Sequence, residues 1–243
     1  MKNTIILIPA RLGSTRFPNK PLVDIKGKTM IERVCQQGAK AGISEIIVAC
    51  SEIEVKEIVE QAGYQAVMTD PDLPSGTDRI YAALEQLKPE QQIEYIVNLQ
   101  GDLPDIKPEI IKETLEVFKH IPNTDIATAV VPIADINIAQ DPNIVKAVVD
   151  FSAANYAEAH YFSRSAVPYN AKTYYEHIGL YVYKKAALDK FVTLPEALLE
   201  STEKLEQLRA ISAGMKISAC LIPYQDKPIS IDTPEDLARL LDS

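Results

Sequence analysis

The chain has 243 residues, 47% of them hydrophobic, and a formal net charge of −9. That length suits one domain, or one with a smaller lobe, and the near-average composition excludes collagen, coiled coil and disorder. No apolar run approaches the ~18 residues of a membrane span, and the acidic total argues against nucleic acid or an anionic membrane surface as a partner.

Thr4–Ile8 reads as a buried strand that stops at Pro9 and a polar turn through Gly13. Its apolar stretch is too short for a secretory signal. Thr29 and Glu32 stand at capping-box spacing after Gly27 and open a helix over 30–41. Glu45–Cys50 is a short β-rich stretch, and Ser51 is placed to cap the helix that carries Val55, Ile58 and Val59 and ends at Gly63. A strand near 64–69, a loop over 70–77, a helix over 78–88, a strand over Tyr95–Leu99 and a helix over 107–119 follow. This alternation predicts an α/β fold, a mostly parallel sheet with helices on both faces and right-handed crossovers.

Beyond about residue 125 the pattern changes. Ile126–Pro132 and Val145–Asp150 read as consecutive strands, and a tyrosine-rich, proline-punctuated region runs from Tyr156 to Tyr183. Helical signals return at 185–192 and 203–213, with a strand near 216–222. Thr233 as N-cap and Pro234 at the first helical position open a last helix. One α/β core with a smaller lobe inserted at about 125–200 is the simplest arrangement. Cys35, Cys50 and Cys220 are odd in number and widely spaced, which fits a reduced, cytoplasmic protein without a disulfide framework or cysteine zinc site.

Charge is unevenly placed. Residues 1–23 hold Lys2, Arg11, Arg16 and Lys20 and no acid. The loop after the first strand therefore combines three cations, two hydroxyls and Gly13 at the carboxyl end of a strand, where open α/β sheets bind ligands. Backbone N–H groups there, with Arg and Lys, suit a polyphosphate. It is not a Walker A loop, since Leu22 stands where the first glycine belongs, and no G-x-G-x-x-G occurs. Gln100-Gly101-Asp102 follows the strand Tyr95–Leu99, so Asp102 is either a Mg²⁺ ligand or a turn former. Asp232, between a strand and a helix, is either a second metal carboxylate or capping chemistry. Ser75-Gly76-Thr77-Asp78-Arg79 enters a helix and either cradles a base or phosphate or caps that helix.

Taken in order, the blocks IPARLGSTRFPNKPL (8–22), SGTDR (75–79), NLQGDLP (98–104), DPNIVK (141–146), YFSRSAVPY (161–169), HIGLYVY (177–183), EKLEQLRAI (203–211) and ISIDTPEDL (229–237) closely resemble the 3-deoxy-manno-octulosonate cytidylyltransferase (CMP-Kdo synthetase) family, nearly end to end. The resemblance implies a nucleotide-diphospho-sugar transferase fold, Rossmann-like in character, a homodimer, and Mg²⁺-dependent activation of Kdo by CTP for lipopolysaccharide. It implies CTP contacts at Ala10, Arg11, Arg16, Lys20, Ser75, Gly76, Thr77, Arg79 and Gln100, with Arg16, Lys20 and Asp102 catalytic. It implies metal ligation by Asp102 and Asp232, and a sugar site of Gln100, Arg164, His177, Tyr181, Glu206 and Gln207. Arg164 is chemically suited to the carboxylate of a 2-keto acid sugar, whereas His177 alone fits a packed strand histidine equally well. Two departures stand out: Leu103 where the family carries Glu, and Cys50-Ser51 where it carries Thr-Asp. An 8-amino-Kdo or sialic acid substrate, a glycosyltransferase, and a non-catalytic nucleotide-sugar binder are the competing readings.

Overall fold

The computed structural model describes residues 3–13, 17–87, 92–152 and 154–242. The chain divides into two compact units: Met1–Ile111 with Pro228–Ser243, and Lys112–Lys227. The first carries β1 (Thr4–Ala10), the hairpin β2 (Asp24–Ile25) and β3 (Lys28–Thr29), α1 (Met30–Lys40), β4 (Ile46–Cys50), α2 (Ile53–Gln61), β5 (Gln65–Met68), α3 (Gly76–Leu87) and β6 (Tyr95–Leu99). Helix α4 (Pro108–His120) runs into the second unit, which adds β7 (Ile126–Ile133), α5 (Ile136–Ala139), β8 (Lys146–Val149), β9 (Tyr156–Ser163), β10 (Tyr174–Lys184), α6 (Lys185–Phe191), α7 (Leu198–Glu203), α8 (Gln207–Ser212) and β11 (Ile217–Leu221). Helix α9 (Pro234–Asp242) belongs to the first unit again.

In the first unit β5, β4, β1 and β6 lie side by side, every pairing parallel. Strand β1 reads TIILIPA, and six of its seven residues are buried, the continuous apolar run required of a parallel strand covered on both faces. The capping box forms as the sequence predicts. Glu32 Oε2 accepts from Thr29 N and Oγ1, both at 2.7 Å, and Thr29 Oγ1 accepts from Glu32 N at 3.4 Å. Ser51 does not cap α2. That helix starts at Ile53, so Ser51 falls one residue outside the N-cap position, and its hydroxyl is buried without a hydrogen-bond partner. Ile25, Met30, Ile231 and Leu240 form a core cluster that fastens α9 and the segment before it.

The second unit is mixed. β10 pairs antiparallel with β7, β7 parallel with β11, β11 antiparallel with β9, and β9 antiparallel with β8. Strand β8 also meets β10, at Lys146 opposite Glu176, so the ring of pairings closes. The helix expected over 203–213 is broken into α7 and α8. Lys204 takes a left-handed φ of 56°, which ends α7. Among the described residues no helix is long and apolar enough to cross a membrane.

Candidate functional site

A cavity of about 380 Å³ opens in the first unit, lined by the end of β1, the start of α3, the turn after β6, Lys20 and Asp232. Two glycines let these elements meet. A Cβ at Gly101 would lie 2.9 Å from the Pro9 carbonyl oxygen, and one at Gly76 would lie 3.2 Å from Pro9 Cγ. The Gly101 position therefore excludes a side chain, and that at Gly76 leaves little room for one, so that β1, α3 and β6 can converge.

On the cavity wall, Lys20 Nζ lies 3.2 Å from Asp102 Oδ2 and 3.1 Å from Asp232 Oδ1, although 212 residues separate the last pair. The Lys20 side chain is only 16% exposed. Ile231 N donates to the Asp102 carbonyl at 2.9 Å, which lays the 231–232 segment against the turn after β6. Asp236 anchors the start of α9 by accepting from Asp232 N and Thr233 N at 3.0 and 2.9 Å. Burial raises its pKa, but these N–H donors outweigh that and hold it below the usual carboxylate range. Asp105, the nearest acid beyond Asp102, accepts from Ile229 N at 3.0 Å and so secures the same segment. Leu103 is 2% exposed, so this chain uses the position where the family carries Glu for core packing.

The remaining nucleotide candidates divide into three groups. Ala10, Arg11, Ser75, Gly76, Arg79 and Gln100 line the cavity with Lys20 and Asp102. Thr77 does not; it is buried, and Asn98 Nδ2 donates to its Oγ1 at 3.4 Å. Arg16, expected among the catalytic cations, lies outside the described residues. Ser75 and Asp78 cap the first turn of α3 reciprocally, Ser75 Oγ donating to Asp78 Oδ2 at 2.7 Å and accepting from Asp78 N at 3.1 Å. That turn presents the positive end of a helix to the cavity. Arg79 is 2% exposed, and desolvation lowers its pKa. Its Nη1 donates to Thr69 Oγ1 at 2.6 Å and to the Asp70 carbonyl at 3.2 Å, tying the 69–71 loop to α3. Gln100 Nε2 donates to Asn98 Oδ1 at 2.9 Å, which fixes the amide. Cys50 is buried and its thiol is pushed up to about 11, chiefly by desolvation, so it is no nucleophile at neutral pH.

The five sugar candidates other than Gln100 all lie in the second unit. His177 Nε2 is 3.0 Å from Thr128 Oγ1, which itself donates to the Leu180 carbonyl at 2.8 Å. Either atom can supply the proton of the Thr128–His177 contact, so its direction follows the imidazole tautomer. Burial pushes the imidazole down to about 3, so it stays neutral. Phe162 meets the ring edge-on at 5.1 Å and Tyr181 lies 5.2 Å away. Desolvation, with Tyr183 and the Glu206 carboxylate nearby, holds the Tyr181 phenol well above its ordinary value. Gln207 is 6% exposed, and its Nε2 is buried with no hydrogen-bond partner. Buried donors are nearly always paired, so this one has capacity for an acceptor from outside the chain. Arg164 sits apart from this group: its Nε, Nη1 and Nη2 donate to the carbonyls of Glu203, Pro142 and Lys204 at 2.8, 2.8 and 3.4 Å. Thr128 and Glu203 are polar residues here that the sequence reading did not single out. Glu203 had a signal as the first residue of the EKLEQLRAI block, whereas Thr128, inside an apolar strand, had none.

A family model described as cytidylyltransferase matches residues 5–217. The 3-deoxy-manno-octulosonate cytidylyltransferase of Paramagnetospirillum magneticum is 48% identical over 97% of this chain and 95% of that protein. The protein of the same name from Parvibaculum lavamentivorans is 44% identical over 97% and 90%. Among solved structures, CMP:2-keto-3-deoxy-manno-octonic acid synthetase complexed with CTP matches with a TM-score of 0.89 at 35% identity, over 99% of this chain and 98% of that one. A cytidylyltransferase from Leptospira borgpetersenii, 17% identical with a TM-score of 0.63 over 98% and 85% of the two chains, shares the fold.

Proposed function

The chain belongs to the cytidylyltransferase family, and from that premise we propose that it transfers CMP from CTP to the anomeric hydroxyl of Kdo, releasing pyrophosphate, in the synthesis of lipopolysaccharide. The observation that carries this reading is the cavity in which Lys20, Asp102 and Asp232 meet at the carboxyl ends of parallel strands. The relatives' shared name supports Kdo as the acceptor.

The donor set fits Mg²⁺. Two carboxylates converge on one cation, Lys20 Nζ. Mg²⁺ takes one or two carboxylates and completes its shell with water and substrate phosphates. Asp102 and Asp232 would hold it, and when bound it would neutralise phosphate charge and bring the acceptor oxygen and α-phosphate together.

The chain's own residues supply the rest. In an in-line displacement the anomeric oxygen bonds to the α-phosphorus as its hydroxyl proton passes to water, the bond to the bridging oxygen breaks, and the electron pair leaves on pyrophosphate. Positioning and charge neutralisation are the main tasks, so no protein nucleophile is required. Lys20 and Arg11, with Arg16, neutralise the leaving pyrophosphate. The first turn of α3 adds the positive end of a helix. On the acceptor side Gln207 Nε2 donates to a sugar oxygen and the neutral His177 imidazole bonds a hydroxyl. The guanidinium of Arg164 has two N–H groups beyond the three already engaged for a carboxylate.

The family resemblance implies a homodimer, which light scattering will test. The three cysteines are unpaired and buried, in keeping with work in the cytoplasm. The deciding experiment measures pyrophosphate release with CTP and Mg²⁺, offering Kdo, its 8-amino analogue and sialic acid in parallel. Release with Kdo, dependent on Mg²⁺, is expected. Release with another sugar but not Kdo would move the assignment, and release with none would favour a non-catalytic binder.

A further inference from the structure

Lys146 is the first residue of β8 and the point at which the ring of strands closes. It stands opposite Ser163 of β9 on one side and Glu176 of β10 on the other. Each of these neighbours adjoins a sugar candidate, Arg164 after Ser163 and His177 after Glu176.

The Lys146 side chain is fully buried, yet among the described residues it forms no ion pair. Its ammonium donates instead to three backbone carbonyls: Asp141 at 2.9 Å, Ile144 at 2.5 Å and Arg164 at 2.6 Å. An ammonium has three donors and no acceptor, so its capacity is matched and used. The same segment is gripped from the other side, where Arg164 Nη1 donates to the Pro142 carbonyl at 2.8 Å. Between these anchors the Val145 carbonyl accepts from His177 N at 2.8 Å. The 141–145 loop is thus strung between the end of β9 and the middle of β10, and Lys146 is its knot.

We propose that Lys146 is a positioning residue for the sugar: its buried ammonium sets the spacing between Arg164, just past the end of β9, and His177 on β10. This role rests on the reading of those two residues as acceptor ligands. An internal core contact would need neither the charge nor three donors. Methionine would fill nearly the same volume but leave three carbonyls without their donor. The cost falls on the loop and on the two residues it joins, not on the cavity of the first unit.

The test compares wild type with Lys146→Met in steady-state pyrophosphate release, varying sugar and CTP separately. The KM for sugar should rise at least tenfold while kcat and the KM for CTP stay within threefold. Lys146→Ala, which lacks the equivalent of a propylammonium ion, should regain sugar affinity at least threefold with added propylammonium but not with propanol. A folded Lys146→Met with unchanged sugar KM, or with both KM values raised alike, overturns the role. Should both variants fail to fold, wild type labelled with ¹⁵N at lysine Nζ decides. A slowly exchanging ammonium signal that shifts on saturation with the sugar is expected, and one that is indifferent to the sugar refutes the role. An active wild type with an insensitive variant sinks this inference alone. A wild type inactive with every acidic sugar sinks the functional reading and this role with it.

Discussion

Replacing Gly101 with alanine puts a methyl group 2.9 Å from the Pro9 carbonyl oxygen. Ordinary contact begins at 3.4 Å, so the two elements must separate by about half an ångström. The obstacle is main chain in a buried parallel strand, and no side-chain rotation relieves it. Overpacking of this kind costs about 1–3 kcal/mol, and the turn after β6 can absorb part of the strain, so about 2 kcal/mol is expected. For a chain of this size that lowers the melting temperature by roughly 4–8 °C. Gly76→Ala is the internal control: its new methyl meets Pro9 Cγ at 3.2 Å, the edge of a ring that can pucker, so less than about 1 kcal/mol should be lost. Thermal unfolding followed by circular dichroism compares the two directly. Pyrophosphate release, measured alongside, should fall further for Gly101→Ala because Pro9 carries Ala10 and the cavity wall with it. A Gly101→Ala melting temperature within 1 °C of wild type, or a larger drop for Gly76→Ala, would refute the close-approach argument.

Further expectations concern single side chains. Asp102→Asn should lower turnover at least about a hundredfold and, because its ion pair is partly exposed, shift the melting temperature by no more than ~2 °C; wild-type-like rates would count against the carboxylate's role. Arg79→Lys keeps a charge but loses the fork that binds Thr69 and Asp70, so about 1–3 kcal/mol of stability and part of the CTP affinity should go together; affinity lost with stability intact would argue for direct contact with the nucleotide instead. His177 is held near 3, below its ordinary 6.5. The folded chain stays neutral there while the unfolded chain takes up a proton, so stability present above pH 6.5 is lost as pH falls towards 3. Between pH 7 and 5 about 2 kcal/mol should disappear, and His177→Gln should flatten that slope in urea titrations at each pH. Equal slopes would place the acid sensitivity elsewhere.

The first unit was legible because its signals are local. Continuous apolar strands, the Thr29–Glu32 capping box and the Thr233–Asp236 start of α9 lie within a few residues of one another. Ser51 misled because a serine beside a helix has the right chemistry at several positions, and only the helix start decides which one caps. The second unit resisted because its strands bury polar side chains. Thr128 hides within an apolar strand, and Lys146 looks like an ordinary surface lysine until its own loop and the distant Arg164 carbonyl close around its ammonium. Lys204 likewise gave no warning of the left-handed turn that separates α7 from α8. At the candidate site the residue types were readable, but their meeting was not. Nothing in the spacing of Lys20, Asp102 and Asp232 announces one shared contact.

That shared contact bears on ionic strength. Salt weakens the attraction between a triphosphate and a free cation, and Arg11 is exposed enough to follow that rule. Lys20 is different, because before any phosphate arrives it is already bound to two carboxylates. Screening weakens those internal pairs as well as the new one, so the two effects oppose each other at the same ammonium. CTP affinity should therefore fall less steeply with added salt than a count of the loop's cations suggests. In Asp232→Asn, where Lys20 has one partner fewer to leave, the slope should steepen.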